Sequence, residues 1–255
     1  MTTLANQRVA YFNGRIVPEG EVRVSFRDRG FKYGDAVFDM TRTFGHRIFR
    51  LKEHIDRFYR SLRYVRIDPG MSPAEMMRLS EEVVQRNLHL IGPEDDYWVG
   101  QRVSRGVDPV PGEPTSQTGP TVIIECTPLP LRARAHYYRD GIDVVVPSVR
   151  RTPPTALSPR AKSHNYLNMI VGEHEAKAIN PNAWAVLLDV NGNLAEGIGS
   201  NIFLVREGVV HTPSERYVLP GISRAVTIEL AASLGIKVVE GDVDCSTHTS
   251  PTRPS

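Results

Sequence analysis

The sequence predicts an α+β protein of two domains, a small α/β sandwich followed by a larger pseudo-barrel domain. Three observations carry that expectation. In the first half, short apolar strands alternate with two stretches whose apolar residues recur at helical spacing. After residue 128 the chain turns Arg-rich and irregular for about ten residues. Beyond it come many short strands separated by hairpin turns, the pattern of a barrel-like unit. The expected division is a small domain at 1–127, an interdomain linker at 128–137 and a barrel-like domain at 138–255.

Taken in order, VAYFNGRIV reads as a hairpin in which Asn13-Gly14 supplies the two positive-φ turn positions. DAVFDMTRTF and HRIFRL repeat the pattern across Gly45-His46. KEHIDRFYRSLRYVRI carries apolar residues at 55, 58, 62 and 65 and predicts a helix. A second helix starts at Ser72, where Ser-Pro-Ala-Glu forms a capping box with Pro in the first turn, and runs to about Leu90. DYWVGQRVSR and PTVIIECTPL are two further strands, separated by the Pro/Gly-rich stretch Asp108 to Pro120. In the second half IDVVVPSVRR, AWAVLLDV, LAEG, NIFLVREGVVHTP and KVVEGDV are strands, with turns at Asn191-Gly192 and Glu207-Gly208. Two helices interrupt them, near 164–180 and 222–235. The end, CSTHTSPTRPS at 245–255, has no large apolar residue and reads as an irregular tail.

Composition narrows the class. A formal net charge of +2 argues against a dedicated nucleic-acid or membrane surface. Two cysteines cannot form a disulfide framework, which points to a reducing cytoplasm. No stretch resembles a signal peptide or a membrane span. These features fit a soluble enzyme or binding module.

Four places could carry chemistry. Of 31 basic residues only five are Lys, so an amine at Lys162, just ahead of a helix and followed by His164, Asn165 and Tyr166, stands out. A primary amine condenses with carbonyls where a guanidinium does not; the plain alternative is a solvated Lys. Glu196 precedes Gly197-Ile198-Gly199, either a backbone approach to a ligand or a bend between strands. Ile222 and Ser223 open a helix after Gly221, offering an anion site or a simple Ser223 cap. Arg57, on an amphipathic helix, is a surface charge unless an anion needs clamping. A metal is not expected: HEAKA lacks the second His of a zinc helix, and neither cysteine lies in a C-x-x-C.

FRDRGFKYGDAVFDMTRTFGHRIFRLKEHIDRFYRSL, AKSHNYLNMIVGEHEA, LLDVNGNLAEGIGSNIFLV and LPGISRAVTIELAASLGI, in that order across residues 8–244, resemble the fold-type IV aminotransferases that use pyridoxal 5'-phosphate. That group includes branched-chain and D-amino-acid aminotransferases, (R)-selective amine transaminases and the related aminodeoxychorismate lyases. The resemblance implies Lys162 for the Schiff base and proton shuttle, Glu196 for the pyridinium nitrogen and Tyr166 for the ring's phenolic oxygen. It implies Arg57 with the Ile222 and Ser223 amides for the phosphate, and a homodimer.

The same alignment puts Phe38, Met40, Arg42 and Trp98 along the substrate pocket, with Arg42 or Arg102 to receive a carboxylate. Phe38-Asp39 resembles the aromatic-Asp pair of the (R)-amine transaminases, and SRGVDPVPG lacks the Arg-x-His expected of a D-amino-acid enzyme. Gly100, however, falls where the amine enzymes tend to carry Glu. The resemblance thus implies transfer of an amino group from an amine or amino acid to a 2-oxo acid, leaning to the (R)-amine type. A branched-chain enzyme is the alternative, followed by a lyase or an impaired cofactor-binding protein. After Val243 the sequence leaves the family pattern, which implies a truncated end.

Overall fold

The computed structural model describes residues 7–112 and 119–245, so the tail expected at 245–255 lies, Cys245 apart, outside the described residues. Its contacts divide the chain into two units, Met1–Tyr138 with Lys162–Asn165, and Arg139–Ala161 with Tyr166–Ser255.

The first unit is built on strands β1 (Val9–Phe12), β2 (Arg15–Pro18), β3 (Ala36–Phe44), β4 (Arg47–Ile48), β5 (Tyr97–Ser104) and β6 (Thr121–Pro128). They form one sheet in the order β2-β1-β6-β5-β3-β4, every pair antiparallel. Asn13 at φ 45° and Gly14 at φ 97° close the first hairpin, and Gly45 and His46, both with positive φ, close the β3-β4 hairpin. Asp96 Oδ1 accepts the His46 N–H at 3.2 Å, which anchors that second turn.

Helices α1 (Arg29–Tyr33), α2 (Leu51–Val65) and α3 (Pro73–Asn87) lie in this unit, and α4 (Leu131–Asp140) begins in it. Asp28 caps α1 by accepting the Gly30 and Phe31 amides, and it also accepts the Ser104 and Thr121 hydroxyls at 2.7 Å each. Ser72 Oγ accepts the Glu75 amide at the start of α3, with Pro73 in the first turn. The stripe Leu51, Ile55, Phe58 and Leu62 of α2 joins Met76, Leu79, Val83 and Val84 of α3 against Val37, Tyr97, Val99, Val103, Val122 and Ile124 of the sheet. Burying such side chains stabilises a fold by about 1.5–3 kcal/mol each, so this core dominates the unit.

Two expectations are corrected here. The stretch 128–137 is not an irregular linker, because α4 runs through it. Ala and Arg are strong helix formers, and none of the helix is buried, so no apolar stripe marks it in the sequence. Residues 162–165, expected in the second domain, fall in the first unit because Ser163 bridges to Val37 on the edge of β3.

The second unit contains β7 (Val144–Val145), α5 (Leu167–Ile179), β8 (Trp184–Ala185), β9 (Glu196–Gly197), β10 (Ser200–Asn201), β11 (Leu204–Arg206), β12 (Val209–Pro213), α6 (Ile222–Ser233) and β13 (Val238–Gly241). Its described strands form small sheets, β7-β8 parallel, β9-β10 antiparallel, and β11-β12-β13 in which α6 links the parallel pair β12 and β13. Glu207 at φ 50° and Gly208 at φ 77° make the tight turn between β11 and β12. The run Ala185-Val186-Leu187-Leu188 is apolar without alternation because both of its sides are buried: Ala185 and Leu187 meet Met169 and Ala176 of α5, while Val186 and Leu188 meet Leu194 and Val243. Among the described residues no helix is long and apolar enough to cross a membrane.

Candidate active site

The first unit gathers charge on a face that would otherwise be apolar. His54, Arg57 and Ser61 follow one another at helical spacing on α2, on the same buried side as Ile55, Phe58 and Leu62. Strand β3 answers them by alternation. Val37, Asp39, Thr41 and Thr43 point into the core, while Phe38, Met40 and Arg42 sit half-buried on the opposite face.

Asp39, 0% exposed, takes Arg57 in a two-pronged grip, Nε to Oδ2 at 2.8 Å and Nη2 to Oδ1 at 2.6 Å. His54 Nδ1 lies 2.7 Å from the same Oδ1, and the Met40 amide donates to it at 2.8 Å. Burial pushes the Asp39 carboxyl up, but the Arg57 charge and the hydrogen bonds from His54 and Arg57 outweigh it and hold the pKa at about 2. Arg57, 3% exposed, is therefore a charge fixed in orientation by a buried carboxylate.

Lys162 is mounted on the same scaffold. The Phe38 N–H donates to Lys162 O at 2.9 Å, the His164 N–H to Ala36 O at 2.9 Å, and the Lys162 N–H to Ser61 Oγ at 3.0 Å. A four-residue segment thus extends the edge of β3, and the Lys162 ammonium lies 4.5 Å from the centre of the Phe38 ring. His164 meets the same ring edge-on at 5.5 Å. Its Nε2 is buried without a hydrogen-bond partner. Burial first, then the Arg102 charge, push its imidazole down to about 4, so it is neutral at neutral pH.

Of the five substrate-pocket residues expected from the sequence, the register separates two pairs. Phe38 faces Arg102 across β3 and β5, while Arg42 faces Trp98 four residues further along, about 13 Å away at strand spacing. Arg102 lies 5.2 Å from the Phe38 ring and donates from Nε to Glu125 Oε1 at 2.8 Å. Arg42 is committed elsewhere: Nη2 reaches Asp96 at 3.2 Å, Nε donates to Thr43 O, and the guanidinium lies 4.0 Å from the Phe44 ring centre. Trp98 meets Arg134 at 4.8 Å. Met40 Cε occupies the space left by Gly100, where a Cβ would come within 3.1 Å of it. Phe38 is therefore near the lysine, Arg102 shares its ring and Met40 follows it on the same strand face, whereas Arg42 and Trp98 lie four residues further along.

The second unit holds the remaining residues. Glu196, 3% exposed, has Oε1 2.9 Å from Arg151 Nε and Oε2 2.9 Å from the Leu219 amide. Asn201 Nδ2 donates to Leu219 O at 3.0 Å and approaches Glu196 Oε2 at 3.5 Å. The turn Leu219-Pro220-Gly221 is thereby tied to the strand of Glu196, and it leads into α6. Gly221 is required there, since a Cβ would run into Asn201 Oδ1. Gly221, and not Ser223, is the N-cap of α6, and no side chain caps the helix. Ile222 and Ser223 thus stand at a glycine-led helix start of the kind that receives phosphates. Tyr166 opens α5, its carbonyl accepting the Ile170 amide, beside the Met169 and Leu187 cluster.

The first unit thus holds an amine and a clamped guanidinium, and the second a buried carboxylate held by an arginine and a glycine-led helix start, group types whose chemistry fits pyridoxal phosphate. Sequence reasoning missed Ser61, His54, Arg151 and Asn201. Each acts through a partner 3 to 101 positions distant, for example Ser61 on Lys162 and Arg151 on Glu196, and no local motif marks it.

The family model for class IV amino-transferases matches residues 36–247. A putative branched-chain-amino-acid aminotransferase of Methanocaldococcus jannaschii is 38% identical over 231 residues, covering 90% of this chain and 77% of the relative. Among solved structures, the branched-chain amino acid aminotransferase of Escherichia coli superposes with a TM-score of 0.83 at 29% identity, covering 94% of this chain and 79% of that one. A T.th. branched-chain amino acid aminotransferase complexed with N-(5'-phosphopyridoxyl)-L-glutamate gives 0.81 at 28% identity, covering 94% and 78%.

Proposed function

Because the chain belongs to the class IV aminotransferases, fold-type IV enzymes that work with pyridoxal phosphate, we propose that it is a branched-chain amino-acid aminotransferase. The amino donor would be a branched-chain amino acid and the acceptor a 2-oxo acid. The observation that carries this reading is the identity with branched-chain enzymes over nine-tenths of the chain, 38% for the M. jannaschii relative. Phe38 beside Lys162, with Met40 next to it on the same face of β3, suits an aliphatic side chain.

Bound pyridoxal phosphate supplies the electron sink that lets an amino group leave one carbon and join another. The chain's residues do the rest in this proposal. Lys162 Nζ would hold the cofactor and move the proton at the substrate carbon. Arg57, fixed by Asp39, would hold the phosphate, a task that the Ile222 and Ser223 amides would share. Glu196, oriented by Arg151 and the Leu219 amide, would keep the pyridine nitrogen protonated, and Tyr166 would hydrogen-bond the phenolic oxygen. Arg102 receives a substrate carboxylate in place of Glu125. Assembly as a homodimer belongs to the same proposal.

The leaning to the (R)-amine type rested on the Phe38-Asp39 pair. Asp39 points away from Phe38 into the core and is taken up by Arg57 and His54, so it says little about the amine that binds. A donor panel of L-leucine, D-alanine and both enantiomers of a simple aryl amine, with 2-oxoglutarate and pyruvate as acceptors, tests the choice. L-Leucine is expected to bleach the cofactor's visible band fastest. Faster reaction with one aryl amine enantiomer would overturn the branched-chain reading in favour of the amine type.

Glu196→Gln is expected to retain the cofactor while slowing the first half-reaction about 10²-fold or more, because a neutral amide no longer stabilises the protonated pyridine. Stopped-flow absorbance measures this, and an unchanged rate removes Glu196 from the role.

A further inference from the structure

We propose that Ser61 is a positioning residue that sets the direction of the Lys162 side chain. The inference rests on the reading of Lys162 as the cofactor-binding amine. Ser61 is 1% exposed on the buried face of α2, one turn beyond Arg57. Its single hydroxyl hydrogen goes to the Arg57 carbonyl at 3.2 Å, which leaves its lone pairs to accept the Lys162 N–H at 3.0 Å.

That acceptor matters because of where the other bonds fall. The Lys162 carbonyl belongs to the peptide plane after Cα and is held by the Phe38 N–H of β3 at 2.9 Å. The Lys162 N–H belongs to the plane before Cα and is held by α2 through Ser61. Two planes fixed to two different elements determine the Cα–Cβ direction, and with it the place from which the four-methylene arm reaches. The same hydroxyl touches the carbonyl of Arg57, so the amine and the phosphate-directed guanidinium are referenced to one rigid helix. Losing it frees the leading plane, and a displacement of about 1 Å at a reacting group costs on the order of 10²-fold in rate.

Ser80 supplies the control. It is equally buried, on α3, donates to the Met76 carbonyl at 2.7 Å in the same back-bonded way, and accepts from Gln101 Nε2 at 2.9 Å with no link to Lys162. The experiment compares the full chain with Ser61→Ala and Ser80→Ala, each below its unfolding temperature. Pyridoxal, which lacks the phosphate and so bypasses Arg57, is trapped on the protein with cyanoborohydride, and the rate of labelling at Lys162 is read by peptide mass. Steady-state kcat and KM are measured alongside. Ser61→Ala is expected to label Lys162 about tenfold more slowly and to lose kcat in proportion, with KM for the amino donor within about twofold. Ser80→Ala is expected to match the parent. Should Ser61→Ala not fold, Ser61→Cys, similar in shape but a weak acceptor, is expected to show the same slowing. Equal labelling and kcat in the Ser61 and Ser80 variants would overturn the inference. A parent chain that labels at other lysines and not at Lys162 would overturn the reading beneath it instead.

Discussion

Lys162→Ala is expected to lose turnover by up to about 10⁴-fold while keeping its fold, the largest effect of any single substitution. In the role proposed for it the amine has two tasks, covalent attachment of the cofactor and proton transfer. Arg102, which meets the same Phe38 ring, cannot condense with a carbonyl and is engaged with Glu125. The fold survives because the lysine contributes to it through its backbone, which alanine retains, in the bonds to Phe38 and Ser61. Initial rates, the visible cofactor band and circular dichroism check the three parts together. A residual rate within tenfold of the parent would contradict the assignment.

Asp39→Asn is expected to have the largest effect on stability. It leaves the buried Arg57 guanidinium without its counter-charge, a change that costs about 3–5 kcal/mol and on the order of 10 °C in melting temperature. The pH dependence follows from the carboxyl's folded pKa of about 2 against an ordinary 3.8. Because the folded value is the lower, the ionised carboxylate's contribution is complete above pH about 4 and is lost as the pH falls towards 2. Roughly 2 kcal/mol is lost over that window, less than the substitution costs, since a protonated Asp39 can still accept a hydrogen bond. Urea unfolding of parent and variant between pH 5 and pH 2 should show their stabilities converging on acidification; parallel curves would refute the pairing.

Much of the first unit was legible in the sequence, for local reasons. Asn13-Gly14, the Gly45-His46 turn, the Ser72 cap and the 55-58-62-65 stripe each state their structure within a few residues. Helix α4 was not legible, because an exposed helix has no apolar period to read. The candidate site is proposed from residue types and resembling segments, whereas the groups that hold those residues are not marked in the sequence. In the sequence Asp39 reads as a clue to the substrate, whereas strand alternation turns it into the core towards Arg57. Arg42 and Arg102 were indistinguishable until the β3-β5 register placed one beside Phe38 and the other four residues away. Ser61, Arg151 and Asn201 work through partners brought near only by folding.

The central claim, that this chain is an aminotransferase whose cofactor is held by Lys162, is tested most directly by locating the covalent bond. The parent protein is incubated with pyridoxal phosphate, reduced with borohydride and digested, and the modified peptide is identified by mass. With five lysines in the chain, the position is informative. The expected result is a single stoichiometric label at Lys162, absent when L-leucine has first converted the cofactor to its amine form. Label spread over Lys32, Lys52, Lys177 and Lys237, or none at all, would contradict the account.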